Sequence, residues 1–321
     1  MNKYDVVALG ELLIDFTCVS QDENGYPTVA AHPGGAPANF LAAVNNFGGK
    51  TAMIGKVGED TFGHLLISTL EQSGIDATGI VLSKDAFTTL AFVTLDDHGD
   101  REFAFSRKPG ADTQLKVGEI KFDLIDAAKA FHFGTLSLTH EPAKTATYNA
   151  VEYAKKAGKL ITFDPNLRMP LWDTADAAKS QALWGLNAAD IIKISNDEVH
   201  FLFALDPEQG AQYILQNFGV KLVFVTCGEN GCFFANTRTC GHVPGIKGLK
   251  VIDTCGAGDI FGGSAVWKVL ESGKEPDSLG FEELRSIVSF ACATASLSTE
   301  RNGGISSIPK PEEIEHYLLY S

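Results

Sequence analysis

No run of about 18 or more apolar residues occurs in this chain of 321, so the sequence offers no candidate for a membrane-spanning helix and no membrane partner is expected. The opening MNKYDVVALG lacks the apolar centre of a secretory leader, and export by that route is not expected. Cysteines are few: Cys18, Cys227, Cys232, Cys240, Cys255 and Cys292 never form a CxxC pair, and a chain this long needs no disulfide staples. They are expected to be reduced thiols of a cytoplasmic protein. The run Cys227, Cys232, Cys240 matches no common zinc spacing and overlaps strand-like segments, so buried thiols are expected there. No HxxxH spacing joins the eight histidines, and His132, inside Phe131-His132-Phe133, reads as a hydrogen-bonded core or cleft-wall residue. Positive charge is also short. The chain has 26 Lys+Arg against 40 Asp+Glu, a formal charge of −14, and no basic cluster to draw nucleic acid. Internal repeats, low-complexity tracts and Pro-rich linkers are absent, so residues 1–321 are expected to form one domain.

What remains is 45% hydrophobic, enough for a large core. Short β-rich runs alternate with amphipathic helical segments, the pattern of a mainly parallel sheet covered by helices. Tyr4–Gly10, Thr51–Val57, Ala130–Gly134, Lys159–Asp164, Asp190–Ile194 and Leu222–Cys227 read as buried strands. Pro37–Phe47, Thr61–Ser73, Glu141–Ala157, Ala175–Leu186 and Pro207–Phe218 have helical spacing. Phe87–Leu95 and Arg101–Ser106 break the alternation, joined by Asp96-Asp97-His98-Gly99-Asp100 with its turn glycine. That hairpin fits either a small β lid, together with Thr17–Ala31, or an antiparallel edge of the main sheet.

The chemistry concentrates in DTCGAGDIFGG, residues 253–263. Gly256-Ala257-Gly258 lets backbone N–H groups approach a ligand, and the helix that follows leaves its first N–H groups without internal partners. Such an end attracts phosphate. Asp259 does not help bind an anion, but a carboxylate beside the turn can accept the proton of an alcohol attacking a terminal phosphate. The other reading is a first-turn acid favoured by the helix dipole. Two familiar nucleotide motifs fail: Gly256–Phe261 is GxGxxF rather than GxGxxG, and Gly49-Lys50-Thr51 has Val44 where a Walker A motif needs its first glycine.

Further motifs follow the same order along the chain: GELLIDF (residues 10–16), PGGAPAN (33–39), GKVGEDTFG (55–63), FHFGTLSL (131–138) and DPNLRMPLW (164–172). With DTCGAGD they resemble the ribokinase-like (PfkB) carbohydrate kinases, nearest the fructokinase branch, from Val6 to about Pro309. The resemblance implies a three-layer Rossmann-like α/β fold with a mainly parallel central sheet and a small β-sheet lid built from about 12–33 and 87–110. It implies transfer of the ATP γ-phosphate to the 6-hydroxyl of fructose. The alternatives are a kinase for another sugar or sugar acid, such as ribose or 2-keto-3-deoxygluconate, and a catalytically idle sugar-sensing protein.

By the same resemblance Asp259 is the catalytic base, Gly256, Ala257 and Gly258 form the anion hole, and Arg168 lies near the reacting phosphate. Asp15, Gly34, Gly35 and Asn39 match sugar-binding positions, and Arg107 resembles a lid-side arginine reaching the substrate or phosphoryl group. Ser195, Glu198, Thr226 and Gly228 match nucleotide-binding positions, with Glu198 organising Mg²⁺ through water. Ser195 stands where relatives carry Asn. Asp253, Ser298, Arg301, Gly303 and Ser307 match the loops that hold a monovalent cation, K⁺, several through backbone carbonyls; Cys255 replaces the more usual Thr there. A homodimer formed through the lid is a further implication.

Overall fold

The structure is a computed structural model that describes residues 2–95 and 101–320; the turn expected at 96–100 lies outside the described residues. Among them thirteen strands form two sheets. In chain order the strands are β1 (Tyr4–Leu9), β2 (Leu13–Gln21), β3 (Pro27–Gly34), β4 (Thr51–Gly58), β5 (Asp76–Ser83), β6 (Leu90–Leu95) and β7 (Arg101–Ser106). They continue as β8 (Ala128–Gly134), β9 (Leu160–Asp164), β10 (Ile191–Ser195), β11 (Leu222–Thr226), β12 (Cys232–Asn236) and β13 (Cys240–Val243). The large sheet has the order β13-β12-β11-β10-β9-β8-β1-β4-β5, with β12 and β13 antiparallel at one edge and the rest parallel.

Helices cover both faces, which is why the inner strands are apolar almost throughout. Successive residues of β1 divide between two cores as the period of two requires: Val7 and Leu9 face one, Val6 and Ala8 the other. The first core is closed by α3 (Phe122–Asp126), α4 (Ala143–Lys156), α5 (Ala175–Ala188), α6 (Asn196–Phe203) and α7 (Pro207–Phe218). The second lies under α1 (Ala36–Asn46), α2 (Thr61–Gln72), α8 (Ala257–Ser272) and α9 (Phe281–Ser298), and α10 (Pro311–Tyr320) ends the chain. The strands and helices expected from periodicity fall on these elements, with ends displaced by a few residues.

The broken alternation has a structural counterpart. β6 and β7 pair antiparallel, but β6 then joins β2 in parallel, giving a second sheet of order β3-β2-β6-β7. The hairpin is therefore no edge of the main sheet. Phe16 stacks on Phe92 at 5.2 Å and meets Phe62 of α2 edge-on at 5.6 Å, which seats the small sheet on the helical layer.

One close approach positions the site. α1 and α8 pack so tightly that a Cβ at Gly263 would lie 2.3 Å from the Phe40 carbonyl oxygen and 2.9 Å from Ala43 Cβ. The absence of a side chain at 263 thus sets how near the N-terminal ends of these helices come. Gly263→Ala is expected to lose about 1–3 kcal/mol of stability in urea unfolding despite alanine's better helix propensity, because overpacking against backbone cannot relax cheaply. Turnover should fall in parallel.

Candidate active site

The C-terminal ends of the parallel strands open onto a cavity of ≈ 1130 Å³, the place where open α/β sheets bind ligands. Its walls come from β2, the loops after β9, β10 and β11, and the N-terminal ends of α1 and α8. A second cavity of ≈ 740 Å³, lined partly by Phe261, Cys292 and Ala295, adjoins it and shares Thr226, Gly228, Thr254 and Gly258. Two expected nucleotide positions, Thr226 and Gly228, thus stand at the junction.

α8 begins at Gly256, whose φ of 74° suits glycine. The Ala257 N–H turns back to the Thr254 carbonyl at 3.3 Å. The N–H groups of Gly258 and Asp259 meet no acceptor among the described residues. Donors are therefore available at the turn, though Ala257 contributes least. Asp259 is only 8% exposed. Its Oδ2 accepts a 2.9 Å hydrogen bond from Asn39 Nδ2, tying α8 to α1. Burial pushes its pKa above the usual 3.8, while Lys193, the Asn39 bond and Arg168 pull it down and Glu198 adds to the rise. The Asn39 Oδ1 atom is buried and has no partner among the described residues.

Asp15 lies on β2 and lines the same cavity. Burial raises it to about 7, against Arg168 and with Asp259 and Asp253. Glycine is needed opposite it: a Cβ at Gly34 would sit 2.4 Å from Asp15 Oδ2, and one at Gly35, where φ is 118°, would strike the Glu11 carbonyl at 2.5 Å. Arg168 lines the cavity beside these acids. The structure thus brings together Asp15, Gly35, Asn39, Arg168 and the Gly256–Asp259 turn.

Arg107 is placed differently from the expectation that it reaches substrate. It is 4% exposed, and its Nε donates to Asp112 Oδ2 at 2.8 Å. Nη1 donates to Thr139 Oγ1 at 2.8 Å, and Nη2 to Asp112 and, at 2.9 Å, to the Leu136 carbonyl. A guanidinium with these partners pins the segment after β7 to the loop after β8. Thr89, just before β6, also donates to Asp112, so both ends of the hairpin share that carboxylate.

Ser195 caps α6. Glu198 Oε2 accepts from the Ser195 N–H at 2.8 Å and hydroxyl at 2.9 Å, and Oε1 from the Leu167 N–H at 2.7 Å. Glu198 therefore both caps the helix and fixes the loop that carries Arg168. Both carboxylate oxygens already accept hydrogen bonds, so this donor set, with Asp197 beside it in the wall, fits a magnesium ion held mainly by phosphate oxygens and water.

Asp253 and the expected cation loop are also adjacent. The Asp253 carboxylate accepts from the N–H groups of Cys255 and Gly303, each at 2.9 Å, bolting the turn before α8 to the loop after α9. The hydroxyls of Ser298 and Ser307 donate to the Ala295 and Gly304 carbonyls, and the Arg301 side chain pairs with Glu313. At those three positions the side chains are directed to other partners, and the Ser298 carbonyl accepts the Arg301 N–H at 3.1 Å.

Two features escaped the sequence reading. Lys193, on β10, is buried and pairs with Asp164 at 3.0 Å. Its Nζ would lie 2.8 Å from a Cβ at Gly258. Burial opposes its charge, yet Asp164, Glu198 and Asp259 together raise its pKa, so it stays protonated. A single lysine inside IIKIS was the available signal, since charge in a doubly covered strand demands a partner. The second is Glu11, which lines the cavity from the β1–β2 connection. His132 is a hydrogen-bonded core residue: buried, bonded to Thr162 at 2.9 Å, and pushed down to about 3 by burial, with Lys193 adding to the effect. Of the cysteine trio, Cys232 is buried, Cys227 half-buried and Cys240 exposed on the edge strand β13, so the expectation of buried thiols fails at Cys240. No cluster of metal-ligating side chains occurs among the described residues.

Known proteins share these features. The family model described as pfkB family carbohydrate kinase matches residues 3–311. A probable fructokinase-5 of Arabidopsis thaliana is 41% identical, over 98% of this chain and 97% of its own. The crystal structure of a fructokinase with bound ATP from Xylella fastidiosa superimposes with a TM-score of 0.89 at 29% identity, covering 98% of both chains. A Vibrio cholerae fructokinase, solved with fructose, ADP and calcium bound, gives 0.85 at 28% identity, covering 98% of this chain and 99% of that one. With the family model matched over residues 3–311 and a relative 41% identical over 98% of its length, the chain belongs to the pfkB family of carbohydrate kinases.

Proposed function

We propose that the protein transfers the γ-phosphoryl group of ATP to the 6-hydroxyl of fructose, giving ADP and fructose 6-phosphate. The observation that carries this reading is Asp259: a buried carboxylate held by Asn39 at the mouth of a helix whose free N–H groups face the junction of two cavities. The fructokinase names of its relatives support fructose as the acceptor.

The sugar occupies the end lined by Asp15 and Asn39, where acceptor oxygens meet hydroxyl donors; the unpartnered Asn39 Oδ1 is one such acceptor. ATP enters along Thr226 and Gly228, with its base toward the second cavity. Asn39 holds one oxygen of Asp259, leaving the other to take the proton of the attacking hydroxyl. The N–H groups of Gly258 and Asp259, with Lys193 and Arg168, face the charge that builds on the transferred group. Magnesium, when bound beside Glu198 and Asp197, neutralises phosphate charge there. The paired loops around Asp253 and Gly303 would hold a potassium ion, whose charge would support the turn from behind. Exposed side chains of the small sheet and its β2–β3 turn, including Val19 (56% exposed) on β2 and Tyr26 (68%) in the turn, support a homodimer through that sheet acting as a lid over each site. The lack of any disulfide among the described residues supports a reducing, cytoplasmic setting.

Asp259→Asn keeps the hydrogen-bonding outline but cannot accept the proton; sugar and nucleotide binding by calorimetry should stay within a few-fold while turnover drops by about 10² or more. Near-normal turnover would remove Asp259 from the role of base.

The base works only when ionised, so kcat/KM should decline as pH falls through its pKa, and burial places that limb above the ordinary carboxylate value of 3.8. Lys193→Met removes the charge that opposes this rise, so the limb should move to higher pH; an unmoved profile would show that Lys193 does not act on the base.

Turnover measured in potassium chloride should exceed that in a chloride of a large organic cation at equal ionic strength. Equal rates would dismiss the cation loops.

A further inference from the structure

We propose that Asn166 binds the terminal phosphate of ATP, its side-chain amide donating to the phosphoryl group that is transferred. This rests on the sugar-kinase reading and adds to it a residue that the resemblance did not assign.

Asn166 follows β9 and lines the cavity, half-buried, two positions before Arg168. Its φ is 42°, a left-handed conformation unfavourable to any residue with a Cβ. Among the described residues one other non-glycine has a positive φ, Ala204, and it ends α6, where that conformation is common. Asn166 ends no helix. The backbone around it is held from three sides. Asp164 Oδ1 accepts the Asn166 N–H at 3.1 Å, the Pro165 carbonyl accepts the Thr135 N–H at 3.3 Å and hydroxyl at 2.5 Å, and Glu198 Oε1 accepts the Leu167 N–H at 2.7 Å.

Those tethers explain how the conformation is kept, not why asparagine has it. Asparagine tolerates a positive φ best when its amide bonds to nearby groups, yet here the amide has no partner among the described residues. Glycine would meet the backbone's demand with less strain. The amide is therefore explained by what enters the cavity. Its tethers say what that is. Asp164 is the partner of Lys193, whose Nζ stands beside the glycine turn, and Glu198 is on the magnesium side. Acids already gather there, with Asp164, Glu198 and Asp259 all bearing on Lys193. A neutral amide adds two N–H donors for phosphate oxygens without adding charge.

The test compares Asn166→Gly, which takes up this φ without strain, with Asn166→Ala, which keeps the strain; both remove the amide. Binding is read by titration calorimetry with Mg²⁺ and either ADP or the β,γ-imido analogue of ATP, and turnover by ADP release with fructose. Both variants should bind the analogue about five- to tenfold more weakly and ADP within about twofold of the wild type, with kcat at least about tenfold lower and KM for fructose changed less than about threefold. In urea the alanine variant should be the less stable of the two. Wild-type turnover in Asn166→Gly, with impairment confined to Asn166→Ala, would mark a backbone role and overturn the proposal. Equal losses of ADP and analogue affinity would overturn it as well. Absence of fructose turnover in the wild type would instead sink the fructokinase reading, while the two nucleotide titrations would still judge Asn166.

Discussion

The hydrogen bond from Asn39 to Asp259 joins residues 220 positions apart and is the contact on which the site depends. It exists because α1 and α8 cross closely enough for their first turns to share a pair of polar side chains in a buried space. Gly263 permits that approach, and Gly256 and Gly304 leave room for the amide: a Cβ at either would lie within 3.0 Å of the Asn39 side chain. Three glycines therefore do for this pair what side chains do elsewhere. They remove bulk, and the polar groups meet.

Around that bond the site is a balance of buried charge. Asp259, Asp164 and Glu198 bear on Lys193, and Lys193 in turn restrains the burial-driven rise of Asp259. A buried lysine without these acids would lose its proton, and the acids without the lysine would tend to gain one. The network restrains the rise that burial imposes on Asp259 and keeps a cation beside the glycine turn. The same logic operates at the hinge side, where Arg107 and Asp112 neutralise one another and fasten both ends of the β6–β7 hairpin to the core. Fully desolvated pairs of this kind contribute geometry more than net stability, because desolvation consumes much of their attraction.

Much was legible in the chain. Apolar strands of five to nine residues separated by helical spacing led to a covered parallel sheet, and the hairpin signal at 87–106 fell on the small sheet. The glycine turn and Asp259 could be singled out from local information, glycines where backbone must approach and an acid beside them, whereas Asp15, Asn39 and Arg168 were picked out only through the family resemblance; all of them border one cavity. Arg107 shows what a motif leaves open. Its motif suggested reach toward a ligand, but the carboxylate that claims it, Asp112, lies five residues on in the 3₁₀ turn Ala111–Gln114, and only the fold brings Thr139 and Leu136 to its other nitrogens.

Sequence alone determined the layered α/β architecture and the glycine turn that opens α8, since hydrophobic period and glycine placement are properties of short segments. Tertiary structure decided which charges face one another. Lys193 came to face Asp164 and Asp259, Glu11 the head of α1, and Arg107 the Asp112 carboxylate, because coulombic and hydrogen-bond energies depend on distances between segments that the linear order does not specify.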